Sequence, residues 1–251
     1  MAPDLSIVIP AYNEAQRLPA TLARLQTFLA GRAERAEVIV VANGSTDDTA
    51  AIAAATARQT PLRISVRANP TNRGKGHCVA EGVGMAAGRR ILMTDADLST
   101  PPEELDRLAA WLDRGYAVAI GSRALRAQGV RVVRSPRRAA AGWVFRRLAS
   151  SLVLPGILDS QCGFKLFDAG AARDIFACLT VGRFAFDVEV LVIARALGYR
   201  VAEVPVSWRE DARSKVRLVR DSYAMARDLL WIRRQLRAGS YAVSPDGSGR
   251  P

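Results

Sequence analysis

The sequence predicts an α/β fold, a mostly parallel sheet flanked by helices, and three observations carry that expectation. Short apolar, β-branched runs recur through the first half of the chain, segments with helical periodicity lie between them, and each run ends in polar, turn-forming residues. Strands separated by helices require right-handed crossovers, which lay helices on both faces of a parallel sheet.

The first run, Leu5–Pro10, leads to a helix expected over Glu14–Ala30. Val38–Ala42 is followed by Asp47–Arg58, Leu62–Val66 by Gly76–Ala87, and Ile91–Thr94 by Glu103–Leu112; Ala117–Ile120 is the fifth run. Pro101-Pro102 after Ser99-Thr100 suits a helix start, because proline is favoured in a first turn. After Ser122 the alternation gives way. Arg131–Arg138 is basic and leads into a helix-like segment carrying Trp143 and Phe145. Gly163–Asp168 reads as a strand, Val188–Leu197 as a helix, Arg200–Ser207 as a strand and Val216–Arg237 as a long helix. Ala238–Pro251, rich in Gly, Ser and Pro, reads as a flexible tail. One domain over 1–237 with a tail over 238–251 suits a chain of 251 residues.

Hydrophobic residues make up 49% of the chain, enough for a sizeable core. No N-terminal signal peptide is visible, since Met1–Asp4 run straight into the first strand. The most apolar long stretch, Ala139–Leu158, contains Arg146, Arg147 and Pro155, so it reads as amphipathic rather than spanning. A cytoplasmic or peripheral protein is expected. Three cysteines without a Cys-x-x-Cys pair, and a single histidine, argue against a disulfide framework and a zinc site. Buried reduced thiols are expected instead. The net charge of +12 attracts polyanions: nucleic acid, anionic headgroups or phosphorylated substrates. Nucleic acid is disfavoured, because aromatic residues are only 6% of the chain and no zinc finger, RNP pattern or helix-turn-helix signature occurs.

In open parallel sheets ligands bind beyond the carboxyl ends of the strands. The first strand delivers Pro10-Ala11-Tyr12-Asn13-Glu14 there, the second Asn43-Gly44-Ser45-Thr46-Asp47, the fourth Asp95-Ala96-Asp97 and the fifth Gly121-Ser122-Arg123. Two carboxylates two residues apart can hold one divalent cation when the chain turns between them. An isolated Asp-x-Asp is more often an acidic turn, but its position after the fourth strand, with Asn43 and Tyr12 beside it, favours a metal. The loop Asn72-Arg73-Gly74-Lys75-Gly76 before a helix offers amides and a lysine to a nucleotide or phosphate. It is neither a Walker A loop nor a dinucleotide fingerprint, and alone it is a weak signal.

The order Ser6–Glu14, then Asn43–Thr49, then Asp95-Ala96-Asp97 resembles family 2 glycosyltransferases of the Rossmann-like GT-A fold. Asp159–Phe167, Phe186-Asp187-Val188-Glu189 and Glu203–Trp208 are similar to the dolichyl-phosphate β-glucosyltransferases and related polyprenyl-phosphate mannose and glucose synthases. The resemblance runs from about Leu5 to Arg237. By matching position it implies Pro10, Tyr12, Glu14 and Asn43 at the nucleotide, with Lys75 nearby. It places Asp95 and Asp97 on Mg²⁺ or Mn²⁺, with Ser99 assisting. Asp159 and Gln161 would face the donor sugar, and Arg123 the acceptor phosphate, with Arg137 or Arg138 beside it. Asp95, Asp97 and Asp159 are thus the catalytic candidates. One departure stands out: the family usually has Asp-Asp before Gly-Ser, and this chain has Ala42-Asn43. An asparagine amide still hydrogen-bonds a base or ribose but lacks a carboxylate's charge.

The resemblance therefore implies an inverting, metal-assisted transfer of a hexose, glucose or mannose, from a UDP- or GDP-sugar to a polyprenyl or dolichyl monophosphate. The arginine-rich segments 137–154 and 216–237 carry aromatic and leucine residues suited to an anionic membrane surface. Peripheral association at the cytoplasmic face is the corresponding expectation, and packing of the same apolar faces on the sheet is its rival. An alternative keeps the chemistry but uses a soluble hydroxyl acceptor. That version needs a carboxylate base, for which Asp159 or Asp187 would serve.

Overall fold

The computed structural model of the chain describes residues 2–133, 135, 145–211 and 218–241, and for 218–223 the backbone only. Seven strands form one sheet in the order β3-β2-β1-β4-β7-β5-β8. At its centre β1 (Leu5–Ala11) pairs in parallel with β2 (Ala36–Asn43) and β4 (Arg90–Met93). Outward from β2 lies β3 (Arg63–Asn69), and on the other side β5 (Val118–Ser122) pairs in parallel with β8 (Val201–Pro205).

Between β4 and β5 runs β7 (Lys165–Asp168), antiparallel to both. Its direction follows from where its chain starts. The excursion after β5 leaves from the carboxyl edge of the sheet and returns there, with Lys165 opposite Met93 and Ile120. Residues just before Lys165 are thereby placed at the edge where ligands bind.

The central strands are buried on both faces, which is why they read as unbroken apolar runs rather than alternating ones. Leu5, Ile7 and Ile9 belong to one core cluster and Val8 to the other. The first cluster is closed by α1 (Leu18–Ala30) and α4 (Leu105–Leu112). The second is closed by α3 (Lys75–Met85), the helix α5 over 145–152, α6 (Ala169–Ala177), α7 (Phe186–Ala196) and the end of α8 (Leu218–Arg237). Helix α2 (Thr49–Gln59) packs beside β3. Parallel strands β6 (Val132–Val133) and β9 (Trp208–Arg209) form a second, two-stranded sheet.

Several boundaries move for local reasons. The first helix begins at Leu18, not Glu14, with proline in its first turn, so Glu14–Arg17 form a turn at the sheet edge. The helix expected from Glu103 is split into a 3₁₀ turn, Pro102–Glu104, and α4. The expected tail at Ala238 begins with a packed turn, because Tyr241 is only 2% exposed; residues 242–251 lie outside the described residues. So do 137–144 of the segment expected over Arg137–Leu154, including the candidate phosphate ligands Arg137 and Arg138. The three thiols are free, with Cys78 and Cys162 buried. No described helix is long and apolar enough to cross a membrane.

Candidate active site

At the carboxyl edge of the sheet lies a cleft of about 1030 Å³, roomy beside the ~300–1,000 Å³ of typical ligand sites. Pro10, Tyr12, Glu14, Asn43, Lys75, Asp95, Asp97, Ser99, Arg123 and Gln161, scattered over the sequence, all line it. Asp159 does not.

The acidic pair is set by a tight turn after β4. Thr94 is still held by the Val8 carbonyl, and Leu98 then folds back, its N–H donating to the Asp95 carbonyl at 3.2 Å. Leu98 adopts φ +46°, a conformation few non-glycine residues take. The Ser99 N–H donates to Asp97 Oδ1 at 2.9 Å and holds that carboxylate inward. Burial, and then the neighbouring Asp95 charge, push the Asp97 carboxyl above its ordinary value. Gly163 completes the turn by close approach, since a Cβ there would sit 2.0 Å from Asp95 Oδ2.

Lys75 Nζ reaches Asp95 Oδ1 at 2.7 Å and lies over the Phe186 ring, 5.7 Å from its centre. Burial lowers its affinity for a proton, but the charges of Asp95, Asp187 and Asp97 more than reverse that, so it stays cationic above the usual lysine range. The loop that delivers it does not act as an amide cradle. The Arg73 N–H donates to Asn43 Oδ1 (3.0 Å), the Gly74 N–H to Asn72 Oδ1 (2.9 Å), and Gly76 and His77 N–H both donate to the Gly182 carbonyl. What the loop presents is the lysine. Asn43 lines the cleft beside this loop, and its Nδ2 donates to Asn72 Oδ1 and the Gly74 carbonyl, so its amide also holds the loop.

Arg17 is a cleft residue that the sequence reading missed. Its side chain lies 3.2 Å from Glu14, 4.0 Å from Asp97 and 3.9 Å from Asp211. Had the helix begun at Glu14, Arg17 would have been an ordinary helix residue; Pro19 was the one available signal that it lies in the preceding turn. The other missed wall comes from Arg183, Phe184, Trp208, Glu210, Asp211, and Ala224, Met225 and Asp228 of α8. The small β6–β9 sheet holds part of it, with the Arg209 N–H on the Ser99 carbonyl at 2.8 Å.

Arg123 and Asp159 form a built pair. Asp159 is fully buried and accepts from Arg123 Nε (2.7 Å), Nη2 (2.8 Å) and the Arg123 backbone N–H (2.9 Å). Burial raises its carboxyl, but the Arg123 charge and hydrogen bonds outweigh this and leave it below the ordinary carboxylate value. The Asp159 carboxylate faces Arg123, whose guanidinium lies 5.3 Å from the centre of the Trp208 ring. Gln161 does reach the cleft, and its Nε2 is buried with no protein partner among the described residues. A buried donor left open in this way suits a ligand oxygen. Asp187 also lines the cleft, ion-paired to the buried Lys165, which donates as well to the Cys162 carbonyl at 2.7 Å.

Among the described residues no group of three or more His, Cys, Asp or Glu side chains is arranged to hold a metal. The two carboxylates nonetheless suit a magnesium-like cation, which takes one or two and completes its shell with water and substrate phosphates.

Residues 6–176 match the family model described as Glycosyl transferase family 2. The chain is 38% identical to a dolichyl-phosphate beta-glucosyltransferase of Trichomonas vaginalis, over 95% of this chain and 73% of the relative. It is 36% identical to the dolichyl-phosphate beta-glucosyltransferase of Homo sapiens, over 96% and 78% respectively. Among solved structures it resembles glucosyl-3-phosphoglycerate synthase from Mycobacterium tuberculosis in complex with Mn²⁺ and UDP-glucose. That likeness has a TM-score of 0.67 at 19% identity, covering 97% of this chain and 81% of the other. It supports the GT-A fold.

Proposed function

This chain belongs to glycosyl transferase family 2 and is a glycosyltransferase, and from that premise we propose that it moves a hexose from a nucleoside-diphosphate sugar to a polyprenyl monophosphate, with inversion and metal assistance. The names of the relatives favour glucose and a dolichyl-type acceptor. Mg²⁺ or Mn²⁺ would be held by Asp95 and Asp97 with Ser99 nearby, and when bound it neutralises the charge that builds on the departing diphosphate. Lys75 adds a fixed positive charge on the same side. Tyr12, Glu14 and Pro10 line the nucleotide end, and Gln161 offers its open donor to the sugar.

One observation carries the choice of acceptor: the two carboxylates that could serve a hydroxyl acceptor as base are committed elsewhere. Asp159 is sealed beneath Arg123, and Asp187 is paired with Lys165. A monophosphate needs no base, since its second pKa is about 6 and its oxygen is already anionic at neutral pH. It needs a cation that keeps its charge, and arginine forks pair well with phosphate. Asp159 holds Arg123 in place for that task. The exposed Leu230, Trp231 and Leu236 of α8, among Arg227, Arg234 and Arg237, support docking at an anionic membrane surface where such an acceptor resides.

Separate substitutions should split the two substrates. Arg123→Ala should raise the KM for polyprenyl phosphate at least about tenfold and leave nucleotide-sugar affinity within about twofold; Lys75→Met should do the reverse. Because Arg123→Ala strands a buried carboxylate, at a cost of about 3–5 kcal/mol in such cases, it is read beside Arg123→Ala/Asp159→Ala. Loss confined to the nucleotide sugar in the arginine variants would remove the acceptor assignment.

A further inference from the structure

We propose that Glu189 is a positioning residue for the donor site, and that Tyr241 and Trp231 near the end of the chain lock it in that role. Glu189 lies on α7 with no exposure to solvent. Its carboxylate accepts from the Thr180 N–H (3.1 Å), Thr180 Oγ1 (2.5 Å), the Val181 N–H (2.6 Å) and Tyr241 Oη (2.7 Å). A carboxylate offers about four lone-pair positions, so these four donors saturate it. A buried charge is tolerable only when it is bonded in this way. Trp231 Nε1 of α8 then donates to Thr180 Oγ1 at 3.0 Å, which fixes the hydroxyl as donor toward Glu189.

What Glu189 grips is the segment that sets the wall of the cleft. Immediately after Val181, the Gly182 carbonyl accepts from Gly76 N–H at 2.8 Å and His77 N–H at 3.4 Å, capping the first turn of α3. The fit there is tight. Gly74 adopts φ +95°, and a Cβ on it would lie 2.2 Å from the Gly182 oxygen. Lys75 stands between those contacts, over Phe186 of the same α7. Arg183, next in the chain, pairs with Asp228 of α8 at 3.1 Å, and both line the cleft. One buried carboxylate thus joins α7, α8 and the turn at Tyr241 to the loop that seats Lys75.

The inference rests on the reading of Lys75 as a contact of the donor diphosphate. Tyr241→Phe and Thr180→Val each remove one hydroxyl from the network with little change of volume. In the full chain, each should weaken binding of UDP-glucose with Mn²⁺ about tenfold by calorimetry, matching a raised donor KM, with kcat at saturating donor within about twofold. Glu189→Gln should do the same more strongly. A lowered unfolding temperature with unchanged donor KM would make the network merely structural and overturn the proposal. Lys75→Met, measured alongside, separates the failures. If it weakens binding while Tyr241→Phe and Thr180→Val do not, the lock alone fails. If Lys75→Met binds UDP-glucose as wild type does, the donor reading fails and the lock falls with it.

Discussion

Gly163 shows how closely the acidic turn is fitted, because only a missing side chain lets the 161–163 segment pass Asp95. Gly163→Ala should displace the Asp95 carboxylate and cut turnover at least about tenfold; wild-type turnover would show that Asp95 has room to move. Asp97→Ala should cost on the order of 10²-fold in turnover, and EDTA should have a like effect on the wild-type protein, since several kcal/mol of charge stabilisation are at stake. Full activity in EDTA would count against the metal. Asp95 and Asp97 were legible in sequence because an apolar strand ends just before them. The pairing of Asp159 was not legible, because its partner Arg123 is 36 residues away and only the fold shows which way the carboxylate turns. Asn43 was legible as a cleft residue from its place at a strand end, but its second task, tying down the loop that carries Lys75, was not.

At the scale of elements, alternating runs foretold β1 to β5 and the helices between them. The direction of β7 was invisible, because antiparallel insertion depends on where a long excursion re-enters the sheet rather than on its own four residues. The start of α1 mattered more for function than its length suggests, since moving it to Leu18 turns Arg17 toward Asp97. Helix α8 divides its apolar residues between two surfaces. Leu229 and Ile232 pack in the core, while Leu230, Trp231 and Leu236 stay outside among arginines. Co-sedimentation with vesicles should therefore rise with anionic lipid and fall as salt is added, because exposed charges are screened over about 8 Å at physiological ionic strength. Leu230→Glu should reduce it severalfold without altering nucleotide-sugar binding. Equal sedimentation with neutral and anionic vesicles would contradict this use of the helix.

For the molecule as a whole, the excess of +12 suits the phosphate-bearing substrates proposed for the cleft. A single cleft joins the acidic turn at one place to the Arg123–Asp159 pair at another, with α8 forming a wall and also carrying the exposed apolar residues. The nucleotide sugar and lipid phosphate proposed as substrates would then meet on adjoining surfaces. The most direct test supplies radiolabelled UDP-glucose and Mn²⁺ with either polyprenyl monophosphate or the dephosphorylated polyprenol. GDP-mannose is run beside it to settle the donor. Label should pass to the phosphate and not to the alcohol; comparable transfer to the free alcohol, or transfer only to a soluble hydroxyl acceptor, would contradict a site built around an acceptor phosphate.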